Sequence, residues 1–248
     1  MSGVDSEMVP NLRTSYFDEY DLNKYDEAIG NHPYIDGCNG LLVDHVRSLS
    51  GGQRVLDVGA GTGRVVKLLQ RLPSLTICAL DVDRRCRDYF MHDPELKEIR
   101  FYLQDLVQDA LPAEFDVAVL RGVFHHIPQS DRLGAARSLL DATKHVVIAD
   151  EALAPYESES ERRKHCERWY GHVIAESRRR GLDVLADLES DFCAHELAVH
   201  GDTVFDHKES VECIAGYFER AGGQVRRCDR IGSYQAVGGG FYVLTISR

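Results

Sequence analysis

An α/β fold with a mostly parallel sheet covered by helices on both faces is predicted by three features of this 248-residue chain. Short β-rich runs alternate with amphipathic stretches from Gln53 to Asp150, a glycine turn joins the first run to the first helix, and the rhythm breaks after Pro155. The runs are Arg54–Val58, Leu75–Leu80, Ile99–Leu103, Phe115–Leu120 and Val146–Ala149, and between them lie helical stretches at Thr62–Arg71, Arg84–Met91 and Ser130–Ala142. Strands separated by helix-length segments indicate right-handed βαβ crossovers, which bury both faces of the sheet.

Beyond Pro155 the spacing predicts one long helix from Glu157 to Arg180. Ser158-Glu159-Ser160-Glu161 is a capping box, Gly181 a C-cap, and acids crowd the start while arginines crowd the end, as the helix dipole favours. Cys166, Trp169, Tyr170, Val173 and Ile174 give it an apolar face. A less regular stretch runs on to His207, then a helix from Ser210 to Ala221 closed by Gly222-Gly223. Two final strands, Gln224–Arg230 and Phe241–Ile246, flank a loop with Gly238-Gly239-Gly240. Ahead of the sheet, Ser15–Ile29 and Cys38–Leu49 read as helices. The chain thus divides into an N-terminal helical lid (1–50), a ligand-binding core (51–154), a cap that selects the substrate (155–207), and the last helix and closing strands of the sheet (208–248).

Composition narrows the classes. Hydrophobic residues make up 44% and charged residues 28%, ordinary for a globular protein. No run approaches the roughly 18 apolar residues of a membrane span, and the polar start lacks a signal-peptide core, so no membrane partner is expected. The seven cysteines form no CxxC pair, which argues against a zinc ribbon or disulfide framework and for a reducing, cytoplasmic setting. A formal charge of −11 disfavours nucleic acid, whose phosphates need a basic field. Oligomeric state leaves no trace in the sequence.

The chemistry centres on Val55-Leu56-Asp57-Val58-Gly59-Ala60-Gly61-Thr62-Gly63. Such a turn lets a ligand approach bare backbone at a helix N-terminus. Dinucleotide enzymes use GxGxxG. Here Gly59, Gly61 and Gly63 make GxGxG, preceded by an acid at Asp57 that suits a ligand with an ammonium and a sulfonium better than a pyrophosphate. Asp81 ends the second strand, where a carboxylate accepts both hydroxyls of a ribose; Asp105 follows the third, within reach of an adenine amino group. Acids at the ends of three successive strands point at one crevice.

On these residues, and on Phe115-Asp116-Val117-Ala118-Val119-Leu120 with the loop Arg121-Gly122-Val123-Phe124-His125-His126-Ile127-Pro128, the chain resembles the class I S-adenosylmethionine-dependent methyltransferases from about Gln53 to Ala154. The resemblance implies a seven-stranded sheet whose last strand is antiparallel, S-adenosylmethionine as cofactor and S-adenosylhomocysteine as product. It also implies a small-molecule acceptor methylated at oxygen, nitrogen or carbon. Ala60, Val82, Leu106 and Arg121 join Asp57, Gly59, Gly61, Gly63, Asp81 and Asp105 as expected cofactor contacts. The family's Lys-Pro-Gly-Gly turn before the fifth strand is replaced by Leu140-Asp141-Ala142-Thr143-Lys144-His145, so that turn must be built differently.

Methyl transfer needs in-line alignment, exclusion of water and, often, a base. The resemblance favours His126 as base or positioning group with His125 its neighbour, against a purely structural pair. Tyr16, Tyr20 and Tyr25 either bring hydroxyls over the cofactor or acceptor or pack the N-terminal helices on the sheet; Trp169 is either a substrate contact in the cap or core. No metal is expected. In His195-Glu196-Leu197-Ala198-Val199-His200 the histidines leave a common helix face, at about 100° per residue. Asp150-Glu151 is similar to the metal-dependent catechol methyltransferases, but those need an acid where strand four here ends in Arg121. The rival readings are a tRNA or protein methyltransferase, a member that keeps the cofactor for another reaction, and a binding module.

Overall fold

The five apolar runs of the central region form β1 (Gln53–Val58), β2 (Leu75–Asp81), β3 (Arg100–Leu103), β4 (Phe115–Arg121) and β5 (Thr143–Leu153). The computed structural model describes residues 21–49, 53–112, 115–198 and 206–248. With β6 (Gln224–Ile231) and β7 (Gly239–Ser247) they make a seven-stranded sheet in the order β3-β2-β1-β4-β5-β7-β6. Only β7 runs antiparallel to its neighbours among these strands, β5 on one side and β6 on the other. A four-residue helix, α9 (Tyr234–Val237), joins β6 to β7, and so short a connection permits only antiparallel pairing.

Side chains alternate across the sheet and build two cores. On one face Leu56, Leu80, Ala118 and Ile148 pack with Leu139 of α5 (Arg132–Ala142) and Phe218 of α8 (Val211–Arg220). On the other Val55, Ala79, Val119 and Val147 pack with Leu42 of α2 (Ile35–Ser48), Val66 of α3 (Arg64–Leu69) and Tyr170 of α6 (Glu159–Arg179). All nine residues of β7 are buried, as a strand covered on both faces requires. A short helix, α4 (Arg84–His92), fills the β2–β3 crossover.

The helix signals act as expected at α6. Ser158 accepts a hydrogen bond from the Glu161 backbone N–H at 3.2 Å, the Glu161 carboxylate accepts from the Glu157 N–H at 2.9 Å, and Gly181 takes a φ of +74° just past the end. The turn lacking Lys-Pro-Gly-Gly has no loop at all: α5 ends at Ala142, β5 begins at Thr143, and the Thr143 hydroxyl donates back to the Leu139 carbonyl at 2.8 Å.

Two expectations need correction. The stretch read as irregular holds α7 (Asp183–Ala198), whose buried residues Leu185, Glu189, Phe192 and Glu196 keep a helical period that two glutamates hide from any apolar pattern. Strand β5 runs to Leu153, beyond the expected Ala149, because β7 pairs with it from His145 to Leu153 and so carries Asp150 and Glu151 inside a strand. Of the two N-terminal helices, α1 (Leu22–Gly30) borders the cavity described below, and α2 packs on β5 and β7 with its first residue, Ile35, also on the cavity wall.

Behind the β4–α5 loop lies Arg132, fully buried. Its guanidinium pairs with Glu209 and donates to the carbonyls of Ile127 (2.9 Å), His125 (3.0 Å) and His207 (2.7 Å), joining that loop to the strand-like segment before α8. Removing one partner of such a buried pair strands the other. Arg132→Ala is therefore expected to lower stability by about 3–5 kcal/mol, read by chemical denaturation; a loss below 1 kcal/mol would show that water replaces the guanidinium.

Candidate functional site

The strand order reverses between β1 and β4, and a cavity of about 830 Å³ opens there, at the carboxyl ends of β1, β2, β4 and β5. Its walls divide into a part made by backbone and strand-end acids and a part made by buried ionisable side chains.

The first part is the glycine turn. Gly59 N–H and Ala60 N–H both donate to the Leu80 carbonyl, at 2.7 and 3.0 Å, which anchors the turn on β2. Gly59 takes a φ of +70°, and a Cβ there would lie 2.5 Å from Val123, so only glycine lets the β4–α5 loop close against the turn. Asp81 accepts from the Gly61 N–H at 2.8 Å through Oδ2 and from the Asp83 N–H at 2.9 Å through Oδ1. These bonds leave further lone pairs on each oxygen.

Of the expected cofactor contacts, Gly59, Ala60, Gly61, Asp81, Val82, Asp105, Leu106 and Arg121 line the cavity. Gly63 and Asp57 do not. Gly63 turns the chain into α3 with a φ of +81°. Asp57 lies buried behind the wall, its Oδ2 without a hydrogen-bond partner among the described residues, and burial with the nearby Asp81 charge pushes its pKa up to about 8. Burial also lowers the pKa of Arg121. Asp26 on α1 had no sequence signal: it accepts from Arg64 Nε at 2.5 Å and from the Thr62 hydroxyl, fastening α1 over the turn.

At the other end, the residues after β4 form a single 3-10 turn, Phe124–His126. His125 Nδ1–H donates to Asp150 Oδ1 at 2.6 Å, and the Phe124 and His125 backbone N–H groups point at Asp150 Oδ2 from 3.1 and 3.4 Å. The other ring nitrogen, Nε2, stands 3.6 Å from Asp206 Oδ1. Burial alone would lower the His125 pKa, but the carboxylates of Asp150 and Asp206 outweigh it and raise it. Burial would likewise raise Asp150, and the facing His125 holds it below the usual carboxylate range. His126 lines the same cavity, half-buried, its ring 3.9 Å from that of His125.

Lys208 is the cation of this end. Its ammonium donates to Asp206 Oδ1 at 3.0 Å and to the Tyr170 hydroxyl, and lies 3.5 Å from Glu196 Oε2 and 3.6 Å from Glu151 Oε2. Two trios of potential metal ligands face the cavity, His125–His126–Asp206 and His32–Glu151–Glu189, neither anticipated from strand ends. In the first, Lys208 already occupies Asp206 Oδ1.

Trp169 is not on the cavity wall. It is fully buried, with its indole N–H donating to Glu151 Oε2 at 3.1 Å from behind, so helical spacing marks it as core. Tyr25 does line the cavity, while Tyr16 and Tyr20 lie outside the described residues. Sequence reading missed His32, Glu189, Asp206 and Lys208. They sit in a turn, a helix without an apolar pattern and a stretch without periodicity, so no local signal marks them.

Comparison with known proteins agrees with this architecture. Residues 38–192, more than half of the chain, match the family model described as a methyltransferase domain. A tRNA1(Val) (adenine(37)-N6)-methyltransferase from Bacteroides thetaiotaomicron is 33% identical over 89 residues, 34% of this chain. That match spans 38% of the relative's length, well under two thirds. Among solved structures, the magnesium protoporphyrin IX methyltransferase of Synechocystis, with bound S-adenosylhomocysteine, aligns with a TM-score of 0.59 at 13% identity over 94% of this chain and 96% of that one. The Burkholderia thailandensis 1,6-didemethyltoxoflavin-N1-methyltransferase aligns at 0.57, 12% identity, over 92% and 83%. With its glycine turn, its reversed strand order and the antiparallel β7, the chain belongs to the methyltransferase domain family and has the class I, S-adenosylmethionine-dependent architecture.

Proposed function

We propose that this protein transfers the methyl group of S-adenosylmethionine to a small molecule, with His125 taking the proton that the acceptor releases. The observation that carries this is the His125–Asp150 pair, 2.6 Å apart and buried, in the same cavity as the glycine turn. The residues fit the cofactor. Gly61, with a φ of +52°, offers bare backbone with open space where a Cβ would be. Asp81 keeps lone pairs for ribose hydroxyls, and Asp105 lines the same cavity for the adenine. When bound, S-adenosylmethionine supplies a methyl carbon activated by a positive sulfur.

Asp150 acts as the third member of a nucleophile–histidine–carboxylate relay does: it fixes the proton on Nδ1, turns Nε2 to the cavity and stabilises the imidazolium that forms. This favours His125 over His126 as the base. His126, beside it, positions the acceptor. Arg121, where metal-dependent relatives need an acid, supports a reaction without a metal at that position. The acidic charge of −11 and the side-chain-lined acceptor end support a small molecule. The tRNA-modifying relative favours a second reading, RNA methylation. Release of S-adenosylhomocysteine with a small-molecule extract tests the first; release only with RNA would select the second.

Asp81→Asn is expected to weaken S-adenosylhomocysteine binding by about 1.5–3 kcal/mol, the worth of hydrogen bonds to a charged group. Calorimetry on the folded variant checks this, and unchanged affinity would remove Asp81 from the cofactor site. His125→Ala should cut kcat about 100- to 10,000-fold with cofactor affinity within a few-fold, and His126→Ala should cost less. Because its pKa is raised, His125 is protonated over more of the pH range, so kcat should rise as pH climbs through that raised value. Asp150→Asn removes the charge that lifts it, so the acid limb of the profile should move to lower pH while kcat falls. An unmoved limb would assign it to another group.

A further inference from the structure

His32, in the turn between α1 and α2, is 3% exposed. The Tyr34 backbone N–H donates to its Nδ1 at 3.3 Å, which leaves the proton of a neutral ring on Nε2. The ring is neutral: burial, with Arg121, Lys208 and Arg180 around it, pushes its pKa down to about 3. Nε2–H has no hydrogen-bond partner among the described residues, although buried donors almost always find one. It points between two acids, 3.8 Å from Glu151 Oε1 and 3.9 Å from Glu189 Oε1, too far for hydrogen bonds. All three residues line the cavity, and their three polar atoms lie within 4.8 Å of one another, which leaves space for one more polar atom at about 2.8 Å from each.

The two acids differ. Burial raises the Glu151 pKa, but the Lys208 ammonium 3.6 Å and the Trp169 N–H 3.1 Å from its Oε2 both favour its ionised form, and Glu189 has neither. Burial and the Glu151 charge push Glu189 well above the usual carboxylate range, so the proton of the pair sits on Glu189. The cluster therefore presents two donors, His32 Nε2–H and the Glu189 O–H, and one acceptor, the Glu151 carboxylate. An ammonium has no lone pair for the His32 donor, and a metal ion needs the Nε2 lone pair that the Tyr34 bond withholds. A hydroxyl, with two lone pairs and one proton, satisfies all three. The surroundings are aromatic: the Phe241 ring meets that of His32 edge-on at 5.0 Å, and Phe192, one turn beyond Glu189 on α7, lines the same wall.

We propose that His32, Glu151 and Glu189 form a subsite for a phenolic hydroxyl, recognised by two donors and one acceptor between Phe192 and Phe241. Placing that hydroxyl on the methyl acceptor rests on the function proposed above.

The probes are phenol and anisole, which differ by the hydroxyl proton, titrated into protein saturated with S-adenosylhomocysteine. Phenol is expected to bind at least about tenfold more tightly, since anisole leaves the Glu151 carboxylate unpaired. Glu151→Leu removes the acceptor of the hydroxyl proton, so it should abolish the preference, whereas Glu189→Gln keeps a donor and should retain it. Should Glu151→Leu fail to fold, judged by its thermal melt, His32→Phe, which removes a donor that both probes accept from, should weaken both about equally. Equal binding of the two probes, no binding of either, a preference that survives in folded Glu151→Leu, or phenol binding unchanged in His32→Phe would overturn the subsite. Failure of S-adenosylhomocysteine to bind would instead strike the methyltransferase reading, and the phenol–anisole comparison, run without it, would still decide the subsite.

Discussion

One ammonium group organises the far end of the cavity. Lys208 Nζ is buried, and bringing a charge out of water costs several kcal/mol unless paired charges and hydrogen bonds offset it. Burial alone would lower its pKa; Asp206, Glu196, Glu151 and Glu189 raise it well above the ordinary lysine value instead. These acids come from the segment before α8, from α7 and from β5, so one cation draws together elements far apart in sequence. Without it, Asp206 and Glu151 would lose their nearest cation, and burial would favour their protonated forms. The ionisation of the acceptor end is thus set largely by one side chain.

The same residues tie the cap to the sheet. The Lys208 backbone N–H donates to Glu196 Oε1 at 2.8 Å, Arg162 on α6 reaches that oxygen at 2.9 Å, and the Tyr170 hydroxyl donates to Glu196 Oε2 at 3.0 Å. A second stitch runs from Arg132 through the His125 and His207 carbonyls to Glu209. The His207 N–H donates in turn to the His125 carbonyl at 3.0 Å. The histidine turn, the Asp206–Glu209 segment and the α6–α7 pair are therefore one hydrogen-bonded body, and the position of the His125 ring depends on all of it. Buried polar networks of this kind hold groups in place only when every member is satisfied, which makes the unsatisfied His32 Nε2 conspicuous.

What was legible in the sequence follows from how locally each feature is encoded. The sheet could be read because most of its strands are contiguous apolar runs, and the proposed cofactor end because its residues sit at strand ends or in the glycine turn. Even there the reading was incomplete. Asp57 precedes the turn, but its carboxyl is buried and does not line the cavity. The acceptor end was mostly illegible. Periodicity detects apolar faces, and α7 buries Glu189 and Glu196 on its inner face. His32 acquires meaning only through Glu151 and Glu189, more than a hundred residues away, and Asp206 and Lys208 through His125, Glu151 and Tyr170 on other elements. Trp169 had two readings with the same helical spacing; Gly239, where a Cβ would lie 2.9 Å from the indole, explains why the core reading prevails.

The two ends also differ in what they do to charge. On the proposed reaction, the bound cofactor would supply a positive charge at one end of the cavity, and His125 would carry one at the other once the acceptor's proton arrives. That charge would stand against Asp150 and Asp206, the two carboxylates that already raise the His125 pKa. Interactions that strengthen as charge develops lower the barrier, whereas those equal in reactant and transition state do not. Asp150 is held by backbone N–H groups and by the ring itself, so it need not reorganise as the imidazolium forms. Asp206 is restrained by Lys208, which also offsets the negative charge of Glu151 and Glu196. A buried lysine among acids, costly for stability, is in this light a means of placing the negative potential where the proton arrives.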